Sequence, residues 1–135
     1  MAKRFQELIA WQLARDLRRE LWRLCNHPAV ARDFDFKNQA CRAARSVTAN
    51  IAEGFPCSHI EFARFLEVAS RSLREIEDRL IEAVEQQLAT SAEAEPSIRL
   101  VKRTTKAVSG LMQYLRTHPD PPTYGPGLQR RRRRS

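Results

Sequence analysis

A chain of 135 residues, 42% of them hydrophobic, is long enough to bury a core without disulfides or metals to staple it, and short enough for one domain. Lys and Arg number 24 against 16 Asp and Glu, a formal net charge of +8; five of those positives form the block Arg130 to Arg134, so the rest of the chain carries +3. No apolar run approaches the ~18 residues of a membrane span, and three cysteines behind a start, MAKRFQEL, with no apolar leader predict reduced thiols in the cytoplasm rather than an exported disulfide framework.

In chain order, the first predicted helix spans about residues 4–26, with Ala10, Ala14, Leu17, Leu21 and Leu24 on one face, and stops at Asn26-His27-Pro28. The second spans about 36–54, with Phe36, Ala40, Ala44, Val47 and Ile51 inward and Asp33 or Asp35 as its cap; its alanines let a neighbouring helix come close. Gly54 is expected to end it by taking a left-handed conformation, with Pro56 preventing continuation. Ser58 and Glu61 have the form of a capping box and open a third helix over about 58–88, in which Phe62, Leu66, Ala69, Leu73, Ile76, Leu80 and Ala83 or Val84 step by four and three. A fourth starts somewhere in 91–97, its first turn blurred by Pro96, and runs to about 117 with Ile98, Val101, Thr105, Val108, Met112 and Leu115 inward. No stretch alternates apolar and polar residues for a strand's length. The expected fold is therefore all-α, an antiparallel up-down four-helix bundle over residues 1–117, followed by a disordered basic tail over 118–135, where PDPPTYGPG and arginines cannot bury enough to order themselves.

The segments FQELIAWQLARDL, QACRAARSVTANIAEGF and EFARFLEVASRSLREIEDRLIEA closely resemble the four-helix-bundle family of 23S ribosomal RNA intervening-sequence proteins, over roughly residues 5–117. Phe5, Leu8, Trp11, Gln12 and Ala14 match the first-helix motif; Gln39, Arg42, Ala43, Ala44, Ser46 and the run Asn50-Ile51-Ala52-Glu53-Gly54 match the second; Phe62, Arg64, Phe65, Leu66, Ser72, Leu73 and Glu75 match the third. The resemblance implies a small bundle that assembles into a ring-shaped homopentamer. It extends to the accessory variability proteins of diversity-generating retroelements, and so implies RNA and a reverse transcriptase as partners. The family usually carries a proline where Thr48 stands, and the arginine block lies outside the shared pattern.

Glu53 raises the question of catalysis. At 100° per residue it falls with Gln39, Arg42, Ser46 and Asn50 in about one quadrant, opposite the apolar stripe, which suits a subunit contact or polar network as well as a solvated face. Catalysis would need a second carboxylate or metal ligands converging on it; Glu75 and Glu77 are available, but no His-x-x-x-His or Glu-x-x-His pair exists. Cys25-Asn26-His27 and Cys57-Ser58-His59 match no zinc spacing. No enzyme, cofactor or metal is expected.

The basic residues point elsewhere. Arg99, Lys102, Arg103 and Lys106 share a face of the fourth helix, and no acidic residue occurs between 97 and 117. Arg15 and Arg18 interleave with Trp11 and Trp22, a pattern that can hold phosphates and stack bases, although Trp11 also suits packing in the bundle. Arg130, Arg131, Arg132, Arg133 and Arg134 could follow a nucleic-acid backbone, tether the chain to a membrane surface, or be an artificial extension. These readings converge on a non-enzymatic, cytoplasmic, oligomeric accessory protein that binds RNA or DNA, with no membrane partner. The alternative is a structural adaptor ring that binds a protein without touching nucleic acid.

Overall fold

Apolar steps of three and four produce four long helices in the computed structural model, which describes residues 2–121. They are α1 (Ile9–Cys25), α3 (Phe34–Gly54), α4 (His59–Glu85) and α5 (Ser91–Thr117), with one further short helix, α2 (Pro28–Ala31), between the first two. α1 packs on α3, α3 on α4, α4 on α5 and α5 back on α1, so each long helix touches two neighbours and the diagonal pairs do not meet. Every neighbouring pair is antiparallel: Arg18 reaches Thr48, Ser72 reaches Ser46, Arg116 reaches Glu67 and His27 reaches Glu93. The up-down bundle expected from the sequence is the fold observed.

Its core is built from the predicted stripes, although Ile98 and Met112 of α5 are only half-buried against it. Leu17, Leu21, Val47, Ile51, Leu66, Leu73, Ile76, Leu80, Val101 and Val108 are fully buried, and burying each such side chain contributes about 1.5–3 kcal/mol. On α5 the stripe is turned slightly from the expected one: Thr104 rather than Thr105 is buried, and its hydroxyl donates to the Leu100 carbonyl at 2.6 Å, so no polar atom is stranded.

The helix ends depart from expectation, each for a local reason. The first helix begins only at Ile9, because the Glu7 carboxylate accepts from the Lys3 and Arg4 backbone N–H groups and folds Phe5–Glu7 into a separate 3-10 turn. These bonds hold the Glu7 carboxyl below its ordinary pKa. α2 has Pro28 in its first turn, where the missing N–H costs nothing, and buries Val30. Asp33, not Asp35, caps α3, accepting from Phe36 N at 3.0 Å. α4 starts as predicted, with Ser58 Oγ accepting from Glu61 N, but stops at Glu85 because Gln87 adopts φ 62°. Thr90 and Glu93 form a reciprocal cap that starts α5 at Ser91, so Pro96 lies inside the helix.

The left-handed cap expected at Gly54 does not form. Gly54 is the last helical residue of α3, and among the described residues no glycine has positive φ. It is needed for space instead: a Cβ there would lie 2.6 Å from Phe62 Cδ1 and 2.8 Å from Phe65 Cβ, so its absence lets α3 and α4 converge at the turn that joins them.

At the same end of the bundle, residues 118–121 return to the start of α4. Asp120 Oδ1 accepts from His59 N at 2.9 Å, placing a carboxylate where the helix dipole favours it, and His59 Nδ1 donates to the His118 carbonyl at 2.8 Å. The remainder of the expected tail, including Arg130, Arg131, Arg132, Arg133 and Arg134, lies outside the described residues.

Candidate nucleic-acid interface

The antiparallel register of α1 and α3 brings Arg18 opposite Thr48 and Cys25 opposite Cys41. Arg18 and Trp22 of α1, with Asn26 just past its end, recur along the edge that faces α3, with Arg19 and Arg23 one step further out; on α3, Cys41, Ala44 and Arg45 face them. Small side chains at Cys41 and Ala44 leave the space between the helices unfilled, and the result is a groove of about 670 Å³. Among the described residues no acidic side chain lines it.

Its cations are unequally occupied. Arg18 Nη1 donates to the Thr48 hydroxyl at 3.0 Å, which orients the guanidinium without neutralising it. Arg23 pairs with Glu20 on the exposed surface. Arg19 and Arg45 are exposed, and among the described residues neither side chain has a hydrogen bond or ion pair. Lys37 adds a further positive charge, its Nζ 5.9 Å from the Trp22 ring centre. Like charges gathered this closely repel one another, and among these cations only Arg23 has a carboxylate partner among the described residues.

The two tryptophans have different uses. Trp11 is half-buried, meets Phe5 edge-on with centroids 5.4 Å apart, and lies beneath Arg15, which is paired to Asp16 at 3.3 Å. Trp22 is 54% exposed in the groove. Arg15 therefore belongs to a packed cluster beside the groove, and Arg18 to the groove itself.

Beneath the groove, Cys25 Sγ lies 3.8 Å from Cys41 Sγ. Burial, and then the neighbouring Cys41, pushes the Cys25 thiol up to about 12. In the other Cys-x-His pair Cys57 is buried, with its thiol 3.5 Å from the Glu53 carbonyl, and His59 is engaged by His118 and Asp120.

The α5 residues form a different surface. Arg99, Lys102, Arg103 and Lys106 are all exposed; Arg99 is 3.4 Å from Glu95, whereas the other three have no ion pair among the described residues. They lie along the helix diagonal to α3 in the bundle. Helix α4, with seven acidic against four basic side chains, separates α5 from α3 on one side.

The α3 stripe is divided in use. Asn50 Nδ2 donates to the Ser46 carbonyl at 2.7 Å and to its hydroxyl at 3.1 Å, and Ser72 Oγ donates to Ser46 Oγ at 2.9 Å, so Ser46 and Asn50 form a network that ties α3 to α4. Arg42 donates to Gln39 at 2.9 Å on the surface. Glu53 is exposed, and its carboxylate has no partner among the described residues.

Arg19, Arg23, Lys37 and Arg45 were not singled out by the sequence pattern. The available signal was their position beside the apolar stripe, but only the register of α1 against α3 shows that these edges face one another.

The fold is an all-α bundle, and its α1/α3 face carries an arginine-lined groove bordered by an exposed indole. The chain belongs to the 23S rRNA-intervening sequence protein family, whose sequence profile matches residues 6–110. No curated protein matches it.

Proposed function

We propose that the chain is a non-enzymatic accessory protein that binds nucleic acid, RNA in the first instance, by gripping phosphates in the α1/α3 groove. The observation that carries this reading is the convergence of Arg18, Arg19, Arg23 and Arg45 on one groove that no acidic residue lines among the described residues. The exposed α5 residues Arg99, Lys102, Arg103 and Lys106 add weaker phosphate contacts, and the terminal arginines add positive charge. Contacts of this kind supply affinity and leave sequence largely unread.

The chain acts as a homo-oligomer, in its sharper form a cytoplasmic homopentamer. Two features support self-association: Phe34 and Ile60 are 72% and 68% exposed, and Glu53 sits on the last turn of α3, where the helix dipole disfavours an anion unless another subunit brings a cation. Repeating the groove around a ring turns modest contacts into avid ones. The most specific form of the proposal is a factor that presents template RNA to the reverse transcriptase of a diversity-generating retroelement.

Fluorescence anisotropy with RNA and DNA at increasing salt tests the binding claim. Four phosphate contacts predict an affinity loss on the order of 100-fold between 50 and 200 mM salt. Salt-independent or absent binding contradicts the proposal and favours the protein-only adaptor. Light scattering is expected to give five times the 15.6 kDa chain mass, and a monomer refutes the ring.

A further inference from the structure

We infer that the α1/α3 groove is a subsite for single-stranded nucleic acid, in which one unpaired base stacks on Trp22 while arginines hold the phosphates on either side. The inference rests on the nucleic-acid reading above and adds the class of strand. Phosphate binding alone accounts for the guanidiniums and leaves the indole unexplained. Trp22 contributes little to the core, being 54% exposed, whereas Trp11 on the same helix is fixed by Phe5 and Arg15. An exposed indole among cations is the combination used to bind single strands, because every base offers a π-face and every linkage a negative charge.

The geometry agrees. About 670 Å³ is a volume suited to a nucleotide-sized ligand. Lys37 stands over the Trp22 ring, and a planar indole so held keeps its second face for a base. Arg18 and Arg45 rise from opposite helices across the groove, so a strand along it meets cations on both sides. Asn26, at the C-terminal end of α1, offers an amide with both donor and acceptor groups to a base edge. A duplex fits the charges but not the indole, since its base faces are already occupied within the stack.

The test uses the full chain carrying Trp11→Phe, which leaves Trp22 as the single indole of the two in the sequence. The probes are a 10-nucleotide single-stranded RNA, the corresponding RNA duplex, and inorganic polyphosphate. The single strand is expected to quench Trp22 fluorescence and the polyphosphate to bind without quenching. Trp22→Ala should weaken single-strand binding by about 10- to 100-fold, leave duplex binding unchanged and be rescued largely by Trp22→Phe. Equal losses for strand and duplex, or no loss for either, overturn the stacking site while leaving phosphate binding intact. Quenching by polyphosphate also overturns it. Failure of all three probes to bind refutes the stacking site and the proposed function together.

Discussion

Helix α3 carries polar side chains on two edges, one against α4 and one against α1, and the chain treats them differently. Toward α4, Ser46 is bonded by Asn50 and Ser72, Asp35 meets Arg79 at 3.5 Å, and Gly54 makes room for Phe62 and Phe65. Toward α1, Arg45 has no side-chain partner among the described residues, Cys41 and Ala44 leave a gap, and Arg19 and Trp22 border it exposed. The first edge is satisfied internally and holds the bundle together. The second keeps exposed charge and aromatic surface beside a single Arg18–Thr48 bond, and it is the edge on which the proposed binding surface rests.

Perturbing the satisfied edge should change stability and leave binding alone. Gly54→Ala forces a Cβ against Phe62 and Phe65 and is expected to cost about 1–3 kcal/mol by urea denaturation, with RNA affinity of the folded fraction unchanged. A variant as stable as the parent would show that the close approach is unimportant. Ser46→Ala removes the shared acceptor of Ser72 and Asn50 and should cost about 1 kcal/mol, again without loss of affinity.

Cysteine chemistry sharpens the contrast at the open edge. With its thiol raised from 9.0 to about 12, Cys25 carries negligible thiolate at pH 8, so iodoacetamide followed by mass spectrometry should modify the half-buried Cys41 and spare Cys25. RNA bound in the groove should protect Cys41. The sign of the accompanying stability effect follows from the raised value: below pH 9 the neutral thiol costs nothing, and between pH 9 and about 12 the unfolded chain releases this proton first, so Cys25 makes stability fall as pH rises. Rapid labelling of Cys25 in the folded protein would contradict its burial.

Much of the fold could be read from periodicity, and the reasons for the exceptions are physical. Long stripes such as Phe62 to Leu80 specify both helix and buried face, and Ser58 announces the start of α4. Four residues at Pro28–Ala31 are too few to show a period, which is why α2 is visible only once Val30 is seen inserted in the core. Thr104 and Thr105 differ by one 100° step, less than the pattern resolves. Gly54 shows a deeper limit: glycine before Phe-Pro reads as a helix stop, whereas the need for it comes from two phenylalanines on the next helix. The site divides along similar lines. Arg18 and the basic residues of α5 stand out in the sequence, but Arg19 and Arg45 join one groove only through the α1/α3 register, a tertiary fact.

The most direct measurement is RNA affinity, across a range of salt, for the Arg19→Glu/Arg45→Glu double variant, alongside its circular dichroism and solution mass. Both residues are exposed and unpaired among the described residues, so helix content and oligomer mass should stay the same. Affinity should fall by about 100-fold or more, with the salt dependence shallower by about two contacts. Unchanged affinity and slope, in a folded oligomer of unchanged mass, would contradict the assignment of the α1/α3 groove as the binding surface.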